Sequence, residues 1–512
     1  MKQYVIAADI GTTSTKAVII NRSGIIIAEQ SVGYPLNAPM PGRAEQDPSE
    51  IMQAVVSAVR TAVDASGIPQ SEFLCMSMSS AMHSLIALDQ SDELLTQCIT
   101  WADNRSAPYV NILRERYDAQ ALYAATGTPI HPMSPLLKLM WMKEKDPAIF
   151  ARARKFIGIK EYILNRWFGQ HVIDESIASA TGLYSLKERK WHPQSLEAAG
   201  ITEDHLPELK PTTHVLEGMR PEWADRMGVP RDLPVVIGAS DGVLANLGVG
   251  AVSRDSFAVT IGTSGAVRAV VDQPLTDPHG RTFCYSLMPN RWVVGGAINN
   301  GGVLFRWVRD ELATKEADAA RQSGRDPYDA LTELAEQAPA GSGGLVVLPL
   351  FAGERAPYWN ADVRGVFFGL SLSHGKAHMV RAVLEGIGYA VRSVAEAVEV
   401  AAGKPREIRA AGGFARSAFW RQSLADILGA PLTVPDAIES SALGAAALGM
   451  HALGEMPDLN AVTAWSQSSY THQPNEAYQE TYNELFALYK ELYPRLVDPL
   501  RDIVAIQMKE SK

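Results

Sequence analysis

The chain has 512 residues, of which 46% are hydrophobic and 20% are charged. This composition excludes a disordered chain and allows two large domains or about three average ones. The 47 Lys and Arg against 57 Asp and Glu give a net charge of −10, which argues against a nucleic-acid-binding protein. Anionic small substrates are not excluded, because local basic groups can outweigh the global charge.

The cysteines and the apolar stretches indicate a compartment. Cys75, Cys98 and Cys284 lie far apart and form no CxxC pair. We therefore expect neither a structural zinc site nor a disulfide framework, and a reducing compartment fits best. The short apolar stretch at 4–8 does not continue into a signal peptide, and no run of about 18 uncharged apolar residues exists. We expect a cytoplasmic protein without a membrane contact.

The first half of the chain is predicted to be an α/β unit. Strands are predicted at 3–9, 15–20, 25–30, 73–79, 84–89 and 234–240. An amphipathic helix should begin at Pro48, with Asp47 as its N-cap, and end at Gly67. Residues 104–170 are predicted to be mostly helical.

The second half shows a similar pattern. Strands are predicted at 256–261, 265–271, 291–296 and 345–349, and helices at 300–312, 376–402 and 417–428. The charged helical stretch at 474–512 should pack back on the body of the protein. We predict a lobe of residues 1–250, a lobe of residues 251–470 and a C-terminal helical segment of residues 471–512.

An internal repeat supports two related halves. Residues 7–20 read AADIGTTSTKAVII, and residues 258–271 read AVTIGTSGAVRAVV. Each is an apolar strand, an Ile-Gly-Thr turn with hydroxyl residues, and a second apolar strand. Backbone N–H groups and hydroxyls at such a turn can hold phosphate oxygens, so two facing hairpins would clamp one nucleotide. The alternative is two ordinary hairpins, since hairpin turns recruit Gly and Thr in any case.

Two aspartates follow predicted strands at places suited to chemistry. Asp9, before the first glycine turn, could hold Mg²⁺ through water. Asp241 comes directly after a buried strand, where α/β sheets bind ligands, and could accept the proton of an attacking hydroxyl. A helix N-cap or a turn is the structural alternative for Asp241. The first turn is neither a P-loop nor a GxGxxG dinucleotide motif.

Other stretches combine small, aromatic and polar residues. Residues 410–417 (AAGGFARS) end a strand and open a helix, so a flat ligand could lie on the glycines, or Ser417 could simply cap the helix. The small residues of 439–446 favour a close helix contact or a ligand. Met82-His83 and residues 101–105 suit a polyhydroxy ligand, although a lone His is more often a core residue and Trp101 by itself is expected in the core.

The sequence resembles the FGGY carbohydrate kinases over nearly its whole length. Residues 365–370 (GVFFGL) and, seven residues later, 378–385 (HMVRAVLE) match every position of the second signature of that family. Residues 133–144 (MSPLLKLMWMKE) match the first signature. The next position departs from it, because Lys145 replaces an expected Glu, Asn, Gln or His on what should be a helix surface.

The resemblance implies an actin/Hsp70-like α/β fold, in which two ribonuclease-H-like lobes enclose a central catalytic cleft. It implies ATP as co-substrate, Mg²⁺, in-line phosphorylation of a terminal sugar hydroxyl, and a homodimer. Position by position, it implies Asp241 as the catalytic base and Asp9 as the Mg²⁺-linked catalytic carboxylate. The implied ATP contacts are Gly11, Thr12, Thr13, Ser14, Lys16, Gly262, Thr263, Gly302, Arg306, Gly413 and Ser417. The implied substrate contacts are Met82, His83, Asp103, Arg105 and Asp241.

The resemblance also bears on the substrate. The stretches 79–89, 98–107, 126–136, 236–249 and 352–360 are most similar to family members that convert D-gluconate to 6-phospho-D-gluconate. Members that act on D-xylulose share Met-His and the Asp after Trp, so a pentulose substrate stays open. A sugar acid needs a cation, for which Arg105 is our candidate, with pairing to Asp103 as the alternative.

A different class of function, a non-kinase ATPase or a sugar-sensing regulator on the same fold, is also open. We disfavour it because the first hairpin already starts at residue 3, and the resemblance leaves no region unassigned for a DNA-binding or peptide-binding module.

Overall fold

The computed structural model describes residues 2–40, 42–435, 439–465 and 468–510. The strands are β1 (Tyr4–Ile10), β2 (Ser14–Asn21), β3 (Ile26–Gly33), β4 (Glu45–Gln46), β5 (Phe73–Ser80), β6 (Ile86–Leu88), β7 (Cys98–Ile99), β8 (Lys155–Ile157), β9 (Val172–Asp174), β10 (Tyr184–Ser185), β11 (Lys190–Trp191), β12 (Glu208–Lys210), β13 (Val215–Leu216), β14 (Val235–Ser240), β15 (Ser256–Ile261), β16 (Gly265–Val271), β17 (Phe283–Met288), β18 (Arg291–Ile298), β19 (Val346–Leu348), β20 (Val366–Phe368), β21 (Glu407–Ala411), β22 (Leu432–Pro435) and β23 (Ser468–His472).

The helices are α1 (Pro48–Ser66), α2 (Pro108–Arg116), α3 (Ala119–Thr126), α4 (Pro135–Lys145), α5 (Pro147–Arg152), α6 (Ile159–Phe168), α7 (Glu175–Ser179), α8 (Pro193–Ala199), α9 (Pro221–Met227), α10 (Asp241–Gly248), α11 (Gly302–Trp307), α12 (Thr314–Gln322), α13 (Pro327–Glu336), α14 (Lys376–Ala402), α15 (Ala418–Leu428), α16 (Ser440–Ala452) and α17 (Glu476–Glu510). The predicted helical stretch at 104–170 is broken into α2 to α6. Proline opens three of these helices, because it fits the first turn but not a helix interior.

The first lobe is built on a sheet in the order β13-β14-β5-β1-β2-β3. β1, β2 and β3 are antiparallel neighbours, and β5 and β14 extend the sheet in parallel with β1. Helix α1 packs against β2 and β3 with the predicted ends. The Asp47 carboxylate accepts a hydrogen bond from the Ser49 N–H (2.8 Å), and Gly67 ends the helix with a φ of 64°.

The second lobe repeats this topology. Its sheet has the order β17-β18-β16-β15-β21-β22-β23. β15, β16 and β18 are antiparallel neighbours, β21 and β22 run parallel to β15, and β23 runs antiparallel to β22. β15, β16, β18, β21, β22 and β23 thus correspond to β1, β2, β3, β5, β14 and β13. The predicted fold of two ribonuclease-H-like lobes is confirmed.

The lobes meet at a pair of equivalent helices. α10 follows β14 of the first sheet, α16 follows β22 of the second, and the two helices pack on each other. A Cβ atom on Gly248 would overlap the Ser440 carbonyl, and one on Gly444 would overlap the Leu244 carbonyl. Glycine therefore allows the backbones to touch, and the close helix contact predicted around 439–446 is confirmed.

Helix α17 lies against the second lobe. Tyr482, Phe486 and Tyr489 are buried there. The Tyr482 hydroxyl donates to Glu385 Oε1 (3.0 Å), which also accepts from Arg381 Nε (2.8 Å) on α14. The stretch predicted to be helical, 474–512, includes residues 511–512, which lie outside the described residues. None of the helices in the described part of the chain is long and apolar enough to cross a membrane.

Candidate active site

A cleft of about 690 Å³ is lined by residues of both lobes. Of the predicted site residues, the following line it: Thr12, Thr13, Met82, His83, Asp241, Gly262 and Thr263. The others do not line it: Asp9, Gly11, Ser14, Lys16, Asp103, Arg105, Gly302, Arg306, Gly413 and Ser417. The fold therefore brings together both hairpin turns, the Met-His pair and Asp241, which come from four distant parts of the sequence.

Asp241 lies where β14 ends and α10 begins. Its Oδ1 accepts a hydrogen bond from the Gly242 N–H (2.6 Å). The N-cap residue of α10 is Ser240, so Asp241 does not have the capping role that was its structural alternative. Burial raises the pKa of Asp241, and the positive charge of Arg268 opposes this shift. A carboxylate with these surroundings, on the wall of a cleft, can act as a proton acceptor.

Asp9 lies on β1, paired across the hairpin with Lys16 of β2. Its Oδ1 accepts a hydrogen bond from Ser79 Oγ (2.6 Å). Burial, and then the negative charge of Asp241, raise the pKa of Asp9 to about 7. Lys16 Nζ is 2.5 Å from Glu439 Oε1, so Lys16 forms an ion pair with that carboxylate. Its charge therefore has only a small effect on the pKa of Asp9. A carboxylate whose ionisation is disfavoured by burial and by a second carboxylate favours a cation beside it.

Side chains brace the first hairpin turn. The Tyr34 hydroxyl donates to the Gly11 carbonyl (2.6 Å), and Gln46 Nε2 donates to the Thr12 carbonyl (2.7 Å). Trp101 Nε1 donates to Thr12 Oγ1 (2.8 Å). Trp101 is therefore part of the cleft wall, and its expected place in the core is wrong. These contacts leave the turn itself facing the cleft.

Main-chain groups brace the second hairpin turn. The Gly302 N–H donates to the Gly262 carbonyl (2.6 Å), and the Val303 N–H donates to the Thr263 carbonyl (3.0 Å). These N–H groups belong to the first turn of α11 and would otherwise lack helical partners. A Cβ atom on Gly302 would lie 2.6 Å from the Gly262 carbonyl oxygen, so glycine is required for this contact. Gly302 thus supports the turn from behind.

The remaining predicted ATP contacts lie outside the cleft lining. A Cβ atom on Gly413 would meet no atom within 4 Å, so the backbone there is open to a flat ligand. Ser417 Oγ accepts a hydrogen bond from the Trp420 N–H (3.2 Å) and caps α15, which is the structural alternative stated for it. Arg306 is exposed on α11.

His83 faces the cleft in an unusual backbone conformation, with a φ of 69°. Its Nδ1 lies 2.7 Å from the Ala180 carbonyl oxygen, and burial lowers the pKa of the imidazole to about 3. The ring is therefore neutral with its proton on Nδ1, since a carbonyl can only accept. Nε2 is left as an acceptor, which suits a sugar hydroxyl.

Lys138 fixes the loop that carries His83. Its buried Nζ donates to the carbonyl oxygens of His83 (2.6 Å) and Thr100 (2.7 Å), and burial lowers its pKa to about 7. The ammonium thus links the His83 loop to the residue before Trp101. Lys138 belongs to the first family signature (133–144), but nothing in the sequence indicates that it holds this loop.

Arg105 and Asp103 do not reach the cleft. Arg105 Nε and Nη2 donate to the two oxygens of Asp103 (2.8 and 2.7 Å), Nη2 also pairs with Glu45, and the guanidinium lies over the Trp141 ring. Asp103 is fully buried and also accepts from the Ala44 N–H (2.7 Å). This geometry is the stated alternative, and it corrects both predicted substrate contacts: the pair is closed on itself.

Two arginines that the sequence reasoning passed over line the cleft within the described part of the chain, Arg268 on β16 and Arg355. Arg355 Nε donates to Asn299 Oδ1 (2.8 Å), and its guanidinium lies 4.8 Å from the centre of the Trp101 ring. The available signal for Arg268 was a single charged residue inside the otherwise apolar strand GAVRAVV.

Comparison with known proteins agrees with this architecture. The N-terminal domain of the FGGY family of carbohydrate kinases matches residues 4–248, and the C-terminal domain matches residues 257–453. The predicted lobe boundary at 250/251 falls between these matches and stays a prediction.

Individual relatives are similar over almost the whole chain. A gluconokinase of Bacillus subtilis (strain 168) is 47% identical over 512 residues, which cover 98% of this chain and 99% of the relative. Crystal structures of a gluconate kinase and of a ligand-bound xylulose kinase, both from Lactobacillus acidophilus, are each 39% identical with a TM-score of 0.90. Each covers 96% of this chain and 98% of its own. The chain therefore belongs to the FGGY family of carbohydrate kinases.

Proposed function

We propose that the chain transfers the terminal phosphoryl group of ATP to the 6-hydroxyl of D-gluconate, giving 6-phospho-D-gluconate. Family membership makes ATP the co-substrate and a sugar alcohol group the acceptor. One observation carries the proposal. A single cleft is lined by the Asp241 carboxylate, by the two Ile-Gly-Thr hairpin turns and by two arginines. A sugar acid is the acceptor class that such a cationic wall suits, and similarity to the Bacillus gluconokinase supports it.

The proposed chemistry relies on positioning. Backbone N–H groups and hydroxyls of the turns at Thr12 and Thr263 hold the phosphates, and Asp241 orients the 6-hydroxyl and accepts its proton. Phosphoryl transfer passes through a loose transition state, so alignment and charge neutralisation account for most of the rate. His83 accepts a hydrogen bond from another hydroxyl of the acceptor. This contact keeps the 6-hydroxyl of the acceptor aligned with Asp241. In-line geometry requires that the acceptor oxygen and the phosphate lie on one axis between the lobes.

Asp9 is the residue that fits Mg²⁺. Its carboxylate is a hard oxygen donor beside the first turn, and burial and the negative charge of Asp241 raise its pKa to about 7, so a cation would favour its ionised form. No group of three or more His, Cys, Asp or Glu among the described residues could hold a metal alone, so the ion would arrive with ATP. Bound Mg²⁺ would neutralise charge on the phosphates.

The test is ADP release with Mg-ATP and, separately, D-gluconate, D-xylulose, L-ribulose, glycerol or no acceptor. We expect turnover on D-gluconate and a loss of about 1,000-fold in kcat for Asp241→Asn, with ATP affinity unchanged. Asp225→Asn, an exposed Asp on α9, is the matched control and should behave as wild type. Near-normal turnover by Asp241→Asn would overturn the base assignment. Light scattering on the same sample tests the homodimer expected from the family resemblance.

D-Xylulose is the second candidate acceptor. It stays open because the ligand-bound xylulose kinase matches the chain with the same identity and TM-score as the gluconate kinase. Turnover on D-xylulose without turnover on D-gluconate would keep Asp9 and Asp241 in their proposed roles and replace the acceptor. ADP release that needs no sugar would instead indicate an ATPase.

A further inference from the structure

We propose that Arg268 receives the carboxylate of the acceptor and so makes the enzyme select an aldonate over a neutral polyol of the same length. This inference rests on the proposed function, since it presupposes a sugar acid as acceptor. It replaces Arg105, whose guanidinium is closed by Asp103 and Glu45.

The duplicated fold shows that an arginine is not needed here to build the sheet. In the second hairpin Arg268 pairs with Ala258, and the equivalent pair in the first hairpin is Val18 with Ala7. Val18 is fully buried in an apolar core. The same strand position therefore accepts an apolar side chain, and placing a guanidinium there costs desolvation energy. A charge retained at such a cost calls for a partner of opposite charge.

The structure gives Arg268 too few partners. Nη1 donates to Thr260 Oγ1 (3.2 Å), whereas Nε is buried without a hydrogen-bond acceptor. Within the described residues no carboxylate lies within 4.0 Å of this guanidinium, and the negative charge of Asp241 acts on it from beyond that distance. Burial lowers its pKa to about 10, so it is still charged at neutral pH. A half-buried cation on the cleft wall with spare donors suits a ligand carboxylate.

Its position suits the acceptor and not the nucleotide. Ala266 and Arg268 lie on the same face of β16 and both line the cleft, and Arg268 is about 7 Å farther from the hairpin turn. A Cβ atom on Gly242 would lie 3.0 Å from Arg268 Nη2, so the guanidinium flanks the segment that carries Asp241. One acceptor chain can therefore meet Asp241 with its terminal hydroxyl and Arg268 with its acid end.

The other cation of the cleft is already engaged. Arg355 donates through Nε to Asn299 and through Nη2 to the Ile298 carbonyl (3.2 Å), and it covers the Trp101 ring. Its contacts hold the cleft wall together. We therefore assign it a positioning role that does not depend on the charge of the acceptor.

The experiment compares D-gluconate with D-glucitol, which has the same chain but a hydroxymethyl group in place of the carboxylate. Steady-state kinetics and calorimetric titration are measured for wild type, Arg268→Met and Arg268→Lys. We expect Arg268→Met to weaken D-gluconate, in KM and in Kd, by about 100-fold, with the KM values of ATP and of D-glucitol little changed. Any fall in kcat should be the same for both acceptors, because the positive charge of Arg268 also opposes the raised pKa of Asp241. Lysine should restore part of the loss. Methionine should fold, since Val18 occupies the equivalent place.

Arg355→Met is the matched control and should weaken D-gluconate and D-glucitol equally. If wild type does not phosphorylate D-gluconate, the proposed function and this inference both fail. If wild type does, and Arg268→Met weakens both acceptors equally or raises the KM of ATP as much as that of D-gluconate, only this inference is overturned. A selective loss in Arg355→Met with none in Arg268→Met would also overturn it.

Discussion

The two hairpins that face the cleft share a topology but differ in how their turns are held. Residues 11–14 separate the last paired residues of β1 and β2, whereas the shorter 262–264 separates those of β15 and β16. Side chains of Tyr34, Gln46 and Trp101 brace the first turn. Main-chain N–H groups of α11 brace the second. Substituting one of the bracing side chains should therefore alter the first turn. The second turn should instead be altered by substituting a glycine whose backbone makes the contact, such as Gly302.

The hairpins also differ in charge. Asp9 faces Lys16 across the first hairpin, and at the equivalent pair of the second Thr260 faces Ala266. The charge of the second hairpin, Arg268, lies two residue pairs farther from the turn, opposite Ala258. The two lobes have thus kept the Ile-Gly-Thr turn and divided the ionisable groups between their hairpins. In our proposal the carboxylate serves the Mg-ATP side and the guanidinium serves the acceptor side.

The largest expected difference is between Asp9→Asn and Thr260→Val, nearly isosteric changes at equivalent positions. Asp9→Asn should lower kcat by about 100-fold and raise the Mg²⁺ concentration needed for half-maximal rate, because the proposed carboxylate partner of the ion is lost. Thr260→Val should leave kcat nearly unchanged and raise the KM of D-gluconate modestly, since Thr260 holds Arg268. Steady-state kinetics over a Mg²⁺ series measures both. Equal losses of kcat would show that charge is not divided between the hairpins.

The next prediction concerns the glycines of the second lobe. Gly302→Ala should raise the KM of ATP by about tenfold and lower the melting temperature, because its Cβ would press on the Gly262 carbonyl that braces the turn. Gly413→Ala is the matched control for stability, since its Cβ meets no atom within 4 Å. Its melting temperature should equal that of wild type, and its KM for ATP should rise only if the adenosine lies on that backbone. Thermal melting and ATP titration of both variants decide this. An unaltered Gly302→Ala protein would contradict the bracing role.

Much of the fold was predictable because its signals are local. Asp47, Pro48 and Gly67 mark both ends of α1, and the apolar runs at the hairpins define their strands. β23 was not predicted: its sequence, SSYTH, has no apolar run, and it is a strand only because it pairs with β22. Edge strands of this kind depend on tertiary pairing and not on propensity.

Site residues could be predicted from the sequence where their position relative to a strand is enough to place them at the cleft. Asp241 stood out because it directly follows a buried strand, the family resemblance implied its role as base, and the structure places it on the cleft wall; the role itself stays a prediction. Arg105 was misassigned because the availability of its guanidinium depends on Glu45, which lies 60 residues earlier in the chain. Arg268 was passed over because hydrophobic pattern alone describes its strand as apolar. Only the comparison of the two hairpins in three dimensions shows that its place is held by a valine in the other lobe.

The smallest expected effect concerns the stability that the ionised Asp9 carboxyl costs the fold, as distinct from its proposed role in catalysis. Its pKa is about 7 in the folded chain, above its ordinary value of 3.8. Between these values the folded chain binds a proton that the unfolded chain has released. By linkage, stability then decreases as pH rises from about 4 to about 7, and the deficit stays constant above pH 7. The ionised carboxyl therefore destabilises the ligand-free protein at neutral pH.

Asp9→Asn, although nearly inactive, should accordingly melt about 2 °C higher than wild type at pH 8, and this gap should shrink as the pH falls toward 5. Thr260→Val, at the equivalent neutral position, should show no such pH-dependent gap. Differential scanning calorimetry at several pH values measures both. A gap equal at pH 5 and pH 8 would mean that the charge of Asp9 is not its source. A gap that closes on acidification would show that the first hairpin, unlike the second, retains a charge that destabilises the ligand-free fold.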